Sequence, residues 1–342
     1  MLILSSAILG FFISAHAQRL ERQGDLLWMR GESCEAVSAH TQSLRQWALT
    51  SGEATPSCPH PPVQQDGSCV VEVTQCLPAH VRRYEGAPPA QAGPNCWNLA
   101  LVMSGILPGL RYATPEEMTF FMGPPLCRPL ALGEARRPGD VGAIRDAEDG
   151  EVHGFIWISD TLTYSKNGMS TESAYRVQPL AAMMDLYQVE DTPACRGLGG
   201  DTNECGNRTQ YYRCMSTDEY LAQRRPLAPE IRQAMDRMDN MESCLERYMM
   251  GHGPLTTAPM QLALDSLYAL NAWVNYARPE DRSPEAAWAV TSLSIRLESM
   301  FTQFNLRDHS VDIGTIDGQM SLLSESVRQS AERLGEQPAA TP

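Results

Sequence analysis

The sequence has no cluster of lysine and arginine. Its 27 basic residues face 41 acidic ones, for a net charge of −14 and an isoelectric point near 5.0. That balance argues against nucleic acid as a partner and against a basic membrane-docking surface. No Cys-x-x-Cys pair occurs among the ten cysteines and histidines number only seven, so the usual spacing of a zinc site is missing. No metal or other cofactor is expected. The longest apolar run, Leu2 to Ile13, is shorter than the roughly 20 residues that cross a bilayer, and no stable membrane insertion is expected. No internal repeat is visible.

What is present begins with that apolar run. Residues 1–17 read as a secretory signal, with Ala15-His16-Ala17 placing small residues where a signal peptidase inspects them. No lysine or arginine precedes the run, and no cysteine follows the cut to carry a lipid. The expectation is an exported protein, periplasmic or secreted. Ten cysteines suit an oxidising compartment in which most of them pair. If one stays free as a nucleophile, nine are left and one more must also be unpaired or bonded to another chain.

Five segments follow the signal. Residues 18–90 contain a helix-prone stretch from Glu32 to Leu49 and a β-prone one from Cys69 to Val73, and predict a disulfide-stapled N-terminal segment. Residues 91–190 predict the central domain. Asn95 is a suitable helix N-cap, Thr114-Pro115-Glu116-Glu117 opens a second helix, and strands are predicted at 141–144, 152–158 and 162–167. Residues 191–215 are dense in Cys, Gly, Asn and Thr and predict a Cys-rich connector. Residues 216–336 carry apolar stripes at helical spacing, such as Val290, Leu293, Leu297, Met300 and Phe304, and predict about four helices. Residues 337–342 predict a frayed tail. The fold class expected is α+β, with a mixed central domain ahead of a helical bundle.

The chemistry concentrates in the central domain. Cys96 follows the predicted cap, where unpaired helix amides favour a thiolate. His153, on the strand 152–158, shares a face with Phe155 and Trp157 and is suited to accept and return a proton. A third group orients such an imidazole. A three-residue connection at 159–161 places Asn167 opposite His153 and Ser165 one diagonal step away, whereas a two-residue connection brings Lys166 onto that face.

Asn95-Cys96-Trp97, Pro138-Gly139-Asp140-Val141 and His153-Gly154-Phe155-Ile156-Trp157-Ile158 resemble the Asp-Cys-Ser, Pro-Gly-Asp-Leu and His-Val-Gly-Ile-Tyr-Ile motifs of NlpC/P60-type cysteine peptidases. The resemblance covers residues 84–180. It implies a papain-like α+β core, no cofactor, Cys96 as nucleophile and His153 as base. It puts Ser165, twelve residues past the histidine, where the family has His, Asn, Gln or Glu. The serine departs from that pattern, which leaves Asn167 as the other candidate. Tyr84 matches a tyrosine of the family's oxyanion site.

The function implied is a cysteine endopeptidase or amidase that cleaves peptide bonds of peptidoglycan through a thioester. Two alternatives share these residues: a papain-like scaffold that binds cell-wall or protein partners without catalysis, and an acyltransferase or thioesterase. The expected partner is peptidoglycan or another peptide substrate, and the sequence leaves the oligomeric state open.

Overall fold

The computed structural model describes residues 19–54, 56–58, 60–190, 195, 206–305 and 316–335. The signal expected at 1–17 and the tail at 337–342 lie outside the described residues.

The first sheet is built from short, turn-linked strands: β1 (Arg19–Gln23), β2 (Leu26–Gly31), β3 (Val63–Gln65) and β4 (Ser68–Glu72). They pair antiparallel in the order β1-β2-β4-β3. Between β2 and β3 runs α1 (Cys34–Thr50), capped by the Ser33 hydroxyl, which accepts from the Glu35 and Ala36 N–H groups. Its buried stripe is Val37, Leu44, Trp47 and Ala48. Disulfides Cys34–Cys69 and Cys58–Cys76 tie α1 to β4 and the intervening loop to the chain after β4. The expected stapled segment is therefore a small sheet-and-helix module. The single-turn α2 (Ala79–Arg82) leads out of it.

Two eight-residue helices, α3 (Cys96–Met103) and α4 (Pro115–Met122), precede the larger sheet. That sheet is made from β5 (Cys127–Pro129), β6 (Val141–Arg145), β7 (Glu151–Trp157), β8 (Leu162–Ser165), β9 (Arg176–Pro179) and β10 (Arg208–Cys214), with α5 (Leu180–Leu186) between β9 and β10. All pairings are antiparallel, in the order β5-β10-β6-β7-β8-β9. Here the structure corrects the sequence reading. Residues 208–214, expected as connector, form a central strand, with Cys214 level with Cys127 and bonded to it. The β-prone run Thr209-Gln210-Tyr211-Tyr212 was the signal for this, masked by the glycines and cysteines around it.

After α6 (Thr217–Ala222), closed by a Ser216–Glu219 capping box, come the four long helices expected: α7 (Pro229–Met249), α8 (Ala258–Val274), α9 (Pro284–Phe304) and α10 (Ile316–Gly335). One continuous apolar core includes Leu27 of the first module, Leu99 and Met118 of the central helices, and Leu297 of the bundle. The segments separated in the sequence thus share an interior. The large sheet has a second apolar layer on its other face, where Ile144, Phe155 and Trp157 meet Leu180 and Met183 of α5.

Buried charge joins the bundle to the central domain. Arg111, fully buried in the loop between α3 and α4, forks onto both carboxylate oxygens of Glu117 and reaches Glu242 Oε1 of α7 at 2.9 Å. Arg296 of α9 donates to the same Glu242 oxygen at 2.8 Å and also pairs with Asp239. The two guanidinium groups hold the Glu242 carboxyl below its ordinary pKa although burial alone acts to raise it. Removing one partner from such a cluster strands buried charge. Glu242→Ala is expected to lower stability by about 3–5 kcal/mol, read as a reduced urea midpoint of the full chain.

Candidate active site

The helix start around Cys96 is built by two asparagines. Asn95, in extended backbone, accepts the Asn98 N–H at 3.0 Å on its side-chain oxygen and donates to Ala113 O at 2.7 Å. Asn98 accepts the Arg111 N–H at 2.9 Å and donates to Gly109 O at 3.3 Å. Both side chains are buried, so the cap and the returning loop fix each other. Cys96 is the first helical residue, is buried, and is one of two unpaired cysteines among the described residues, the other being Cys244. Cys127, Cys195 and Cys214 are disulfide-bonded, as are the four cysteines of the first module. The arithmetic that demanded a second unpaired thiol is met by Cys244.

Three backbone amides act on the Cys96 sulfur: those of Gly154, Trp97 and Cys96 itself. Each favours the thiolate, as does the nearby Lys166 charge, but burial outweighs them and pushes the thiol pKa up. The approach of α3 to β7 leaves little room for a side chain at Gly154. A Cβ there would stand 3.2 Å from Met118 Cε, 3.3 Å from Cys96 O and 3.4 Å from Ala100 Cβ.

Strand alternation then sets where the histidine goes. Gly154, Ile156 and Ile158 face the layer that contains α3, while His153, Phe155 and Trp157 face the layer under α5. The His153 ring stacks on Tyr187 with centroids 4.1 Å apart and lies nearly parallel to Phe155 at 6.2 Å. Tyr187 follows α5, and its carbonyl accepts from the Asn207 side chain at 2.6 Å. Among the described residues neither imidazole nitrogen has a hydrogen-bond partner, and burial depresses the ring pKa to about 3. Thiol and imidazole therefore sit at neighbouring positions along β7, on either side of it, without a hydrogen bond between them.

The pairs Ile156↔Tyr164 and Trp157↔Thr163 fix the β7–β8 register, with the three-residue connection Ser159–Thr161. Continued, that register sets Asn167 level with His153 and Ser165 level with Phe155. Neither residue reaches the imidazole. Ser165 accepts from Gln178 Nε2 of β9 and lies 3.5 Å from Asn167 Oδ1, while the Asn167 N–H donates to Ser173 Oγ at 3.0 Å. The expected orienting contact is absent because β8 ends at Ser165 and β9 captures its hydroxyl.

Lys166 is the group the sequence reading did not select. It is fully buried on the face opposite to that of Ser165 and Asn167, and its ammonium donates to Gly168 O at 2.8 Å and Ser170 O at 2.9 Å. Its signal was available: it is the single lysine of the sequence, placed at the end of an apolar strand.

Tyr84 and Asp140 have structural partners. The Tyr84 hydroxyl donates to Glu246 of α7. Asp140 accepts from the Arg137 N–H at 2.7 Å and receives Arg213 at 3.0 and 2.8 Å. A cleft of about 700 Å³ opens at the far end of α3, lined by Trp47, Tyr84, Met103, Arg137, Asp140 and Arg213. It does not include Cys96. Among the described residues no His, Cys, Asp and Glu cluster is arranged to hold a metal ion, and no helix is long and apolar enough to cross a membrane.

The neutral, buried imidazole links stability to pH. Unfolding exposes His153, which then binds a proton below its ordinary pKa of 6.5, whereas the folded protein binds it only near about 3. This contribution to stability is present above pH 6.5 and falls on acidification by on the order of 1 kcal/mol per pH unit through that window. Replacing the ring with an apolar one, His153→Phe, is expected to flatten the urea midpoint against pH between those limits. Compared with known proteins, the chain matches no family model, no curated protein and no solved structure.

Proposed function

We propose that the protein is a thiol hydrolase with a papain-like central domain, acting on peptide amide bonds of peptidoglycan. The observation that carries this reading is the setting of Cys96: an unpaired thiol opening a helix that the Asn95 side chain caps. Cys244, the other unpaired thiol, sits inside α7 against Thr256 Oγ1 at 3.3 Å. It occupies no helix start. The capped helix start therefore distinguishes Cys96 from Cys244.

In this reading the Cys96 thiolate attacks the acyl carbon of the scissile amide, and backbone N–H groups at the helix start serve as donors to the developing oxyanion. The S–C bond forms, the C–N bond breaks, and the departing amine takes up the proton that the thiol gave to His153. Water then cleaves the thioester, releasing the carboxylic acid and returning a proton to the sulfur. For the thiol proton to reach His153, the strand there must turn over in the substrate complex, because the imidazole stacks on Tyr187 on the side of β7 away from the thiol.

A second reading, a papain-like scaffold that binds without catalysis, is favoured by one observation. Burial shifts both partners away from the ion pair, raising the thiol and depressing the imidazole.

The two are separated by digesting purified peptidoglycan with the wild type and with Cys96→Ala. The hydrolase reading expects muropeptide fragments from the wild type and their loss, by at least about a hundredfold, in the variant. Equal product from both proteins, or none from either, removes catalysis by Cys96.

A further inference from the structure

Lys166 stands apart in this chain. The sequence contains 27 basic residues and only one of them is lysine. That one is fully buried, which is rare for lysine unless it is paired. Twenty-six arginines carry the surface and interior ion pairs, so an ammonium at 166 is a departure from the chain's own usage.

Two features bring it to Cys96. β8 pairs with β7 through Ile156↔Tyr164 and ends at Ser165, so Lys166 directly follows the strand beside the β7 segment on which α3 packs. The loop that Lys166 organises is also attached to the chain leading into Cys96, because the Gly93 N–H donates to Met169 O at 3.0 Å. Of the three ammonium N–H donors, two are directed to Gly168 O and Ser170 O. The Tyr175 ring lies 6.0 Å from the nitrogen.

We propose that Lys166 is a positioning residue for Cys96, its clamped ammonium supplying the counter-charge that the thiolate requires in a site closed to water. The functional part of this proposal rests on the reading of Cys96 as nucleophile. In thiol hydrolases of the Cys–His type the cation is an imidazolium. Here His153 is buried neutral, with its pKa down to about 3, and Lys166 is the charged group whose field favours the Cys96 thiolate. Burial draws the lysine pKa down to about 8, and the thiol acts to raise it. The ammonium is thus retained at neutral pH and can be lost just above it.

The other titratable groups that act on Cys96 are Tyr112 from the loop before α4 and Tyr187 after α5, both with raised pKa, while the neutral His153 lies on the other side of β7. Of these groups Lys166, at about 8, titrates nearest neutrality.

Two measurements on the full chain test this. The first is the rate of iodoacetamide alkylation of Cys96 against pH, followed by mass spectrometry. Lys166→Met is expected to move the midpoint up by about one pH unit, lowering the rate at neutral pH about tenfold, with Lys166→Arg recovering most of it. The second uses biosynthetic ¹³Cε-lysine, which yields a single side-chain signal because there is a single lysine. Its midpoint, about 8 in the wild type, is expected to fall in Cys96→Ala. A loop-holding role alone would move neither.

An alkylation profile unchanged in folded Lys166→Met, or a lysine midpoint indifferent to Cys96→Ala, overturns the proposal. If Lys166→Met does not fold, the lysine signal decides by itself. Peptidoglycan cleavage that depends on Cys96 with both profiles unmoved keeps the hydrolase and removes Lys166. Moved profiles without cleavage keep the pair and remove the hydrolase.

Discussion

The position of Cys96 depends on a six-residue loop held between two parts of the molecule. Residues 109–114 run between α3 and α4, and their backbone groups are taken up on one side by Asn95 and Asn98. On the other side the bundle supplies the partners. Glu246 accepts the Leu110 N–H at 3.1 Å, Gln303 the Tyr112 N–H at 2.7 Å and Ser299 the Thr114 N–H at 3.3 Å. Arg111 anchors the middle through Glu117 and Glu242. Helices α7 and α9 therefore reach the thiol through one loop. This gives the C-terminal helices a physical role in the site without any of their side chains entering it. Burying the four charges of Arg111, Glu117, Glu242 and Arg296 costs desolvation and is weak as a source of stability, but it fixes which surfaces meet.

The second constraint is the close approach of α3 to β7 at Gly154. A Cβ there would meet Met118 Cε, Cys96 O and Ala100 Cβ at 3.2, 3.3 and 3.4 Å, so α3 and the strand lie almost as close as a side chain permits. Close packing brings the thiol into the low-dielectric interior, where its charged form is disfavoured and every fixed dipole or cation counts for more. The site is thus arranged as an opposition. Burial acts against ionisation of Cys96, while three amides and one ammonium act for it. His153, on the other face of the same strand, has been removed from water and left without a partner.

Much of the scaffold was legible. Asn95 and Thr114 announced the starts of α3 and α4 because a side-chain oxygen before an apolar turn has one favourable use. The cysteine spacing in the first module and the apolar stripes of α7–α10 were equally direct. The strand at 208–214 was missed because its neighbours dominate the local composition, and its place between β5 and β6 arises from pairing across long sequence separations. The role of Lys166 was missed for a related reason. Attention to the face of His153 set it aside, although it was the chain's single lysine.

The sequence by itself determined local structure and order along the chain: a thiol at a helix start, a histidine on a strand of alternating burial, an α+β composition and a helical C-terminal third. Those features follow from interactions within a few residues, which propensity and periodicity record. Only the tertiary structure decided what surrounds the thiol. The turn after β8 buried Lys166, α5 and Tyr187 covered the imidazole, Gln178 took the hydroxyl of Ser165, and α7 and α9 fixed the loop beside Asn95. Each of these depends on which distant surfaces pack together, and packing of that kind leaves no periodic trace in the chain.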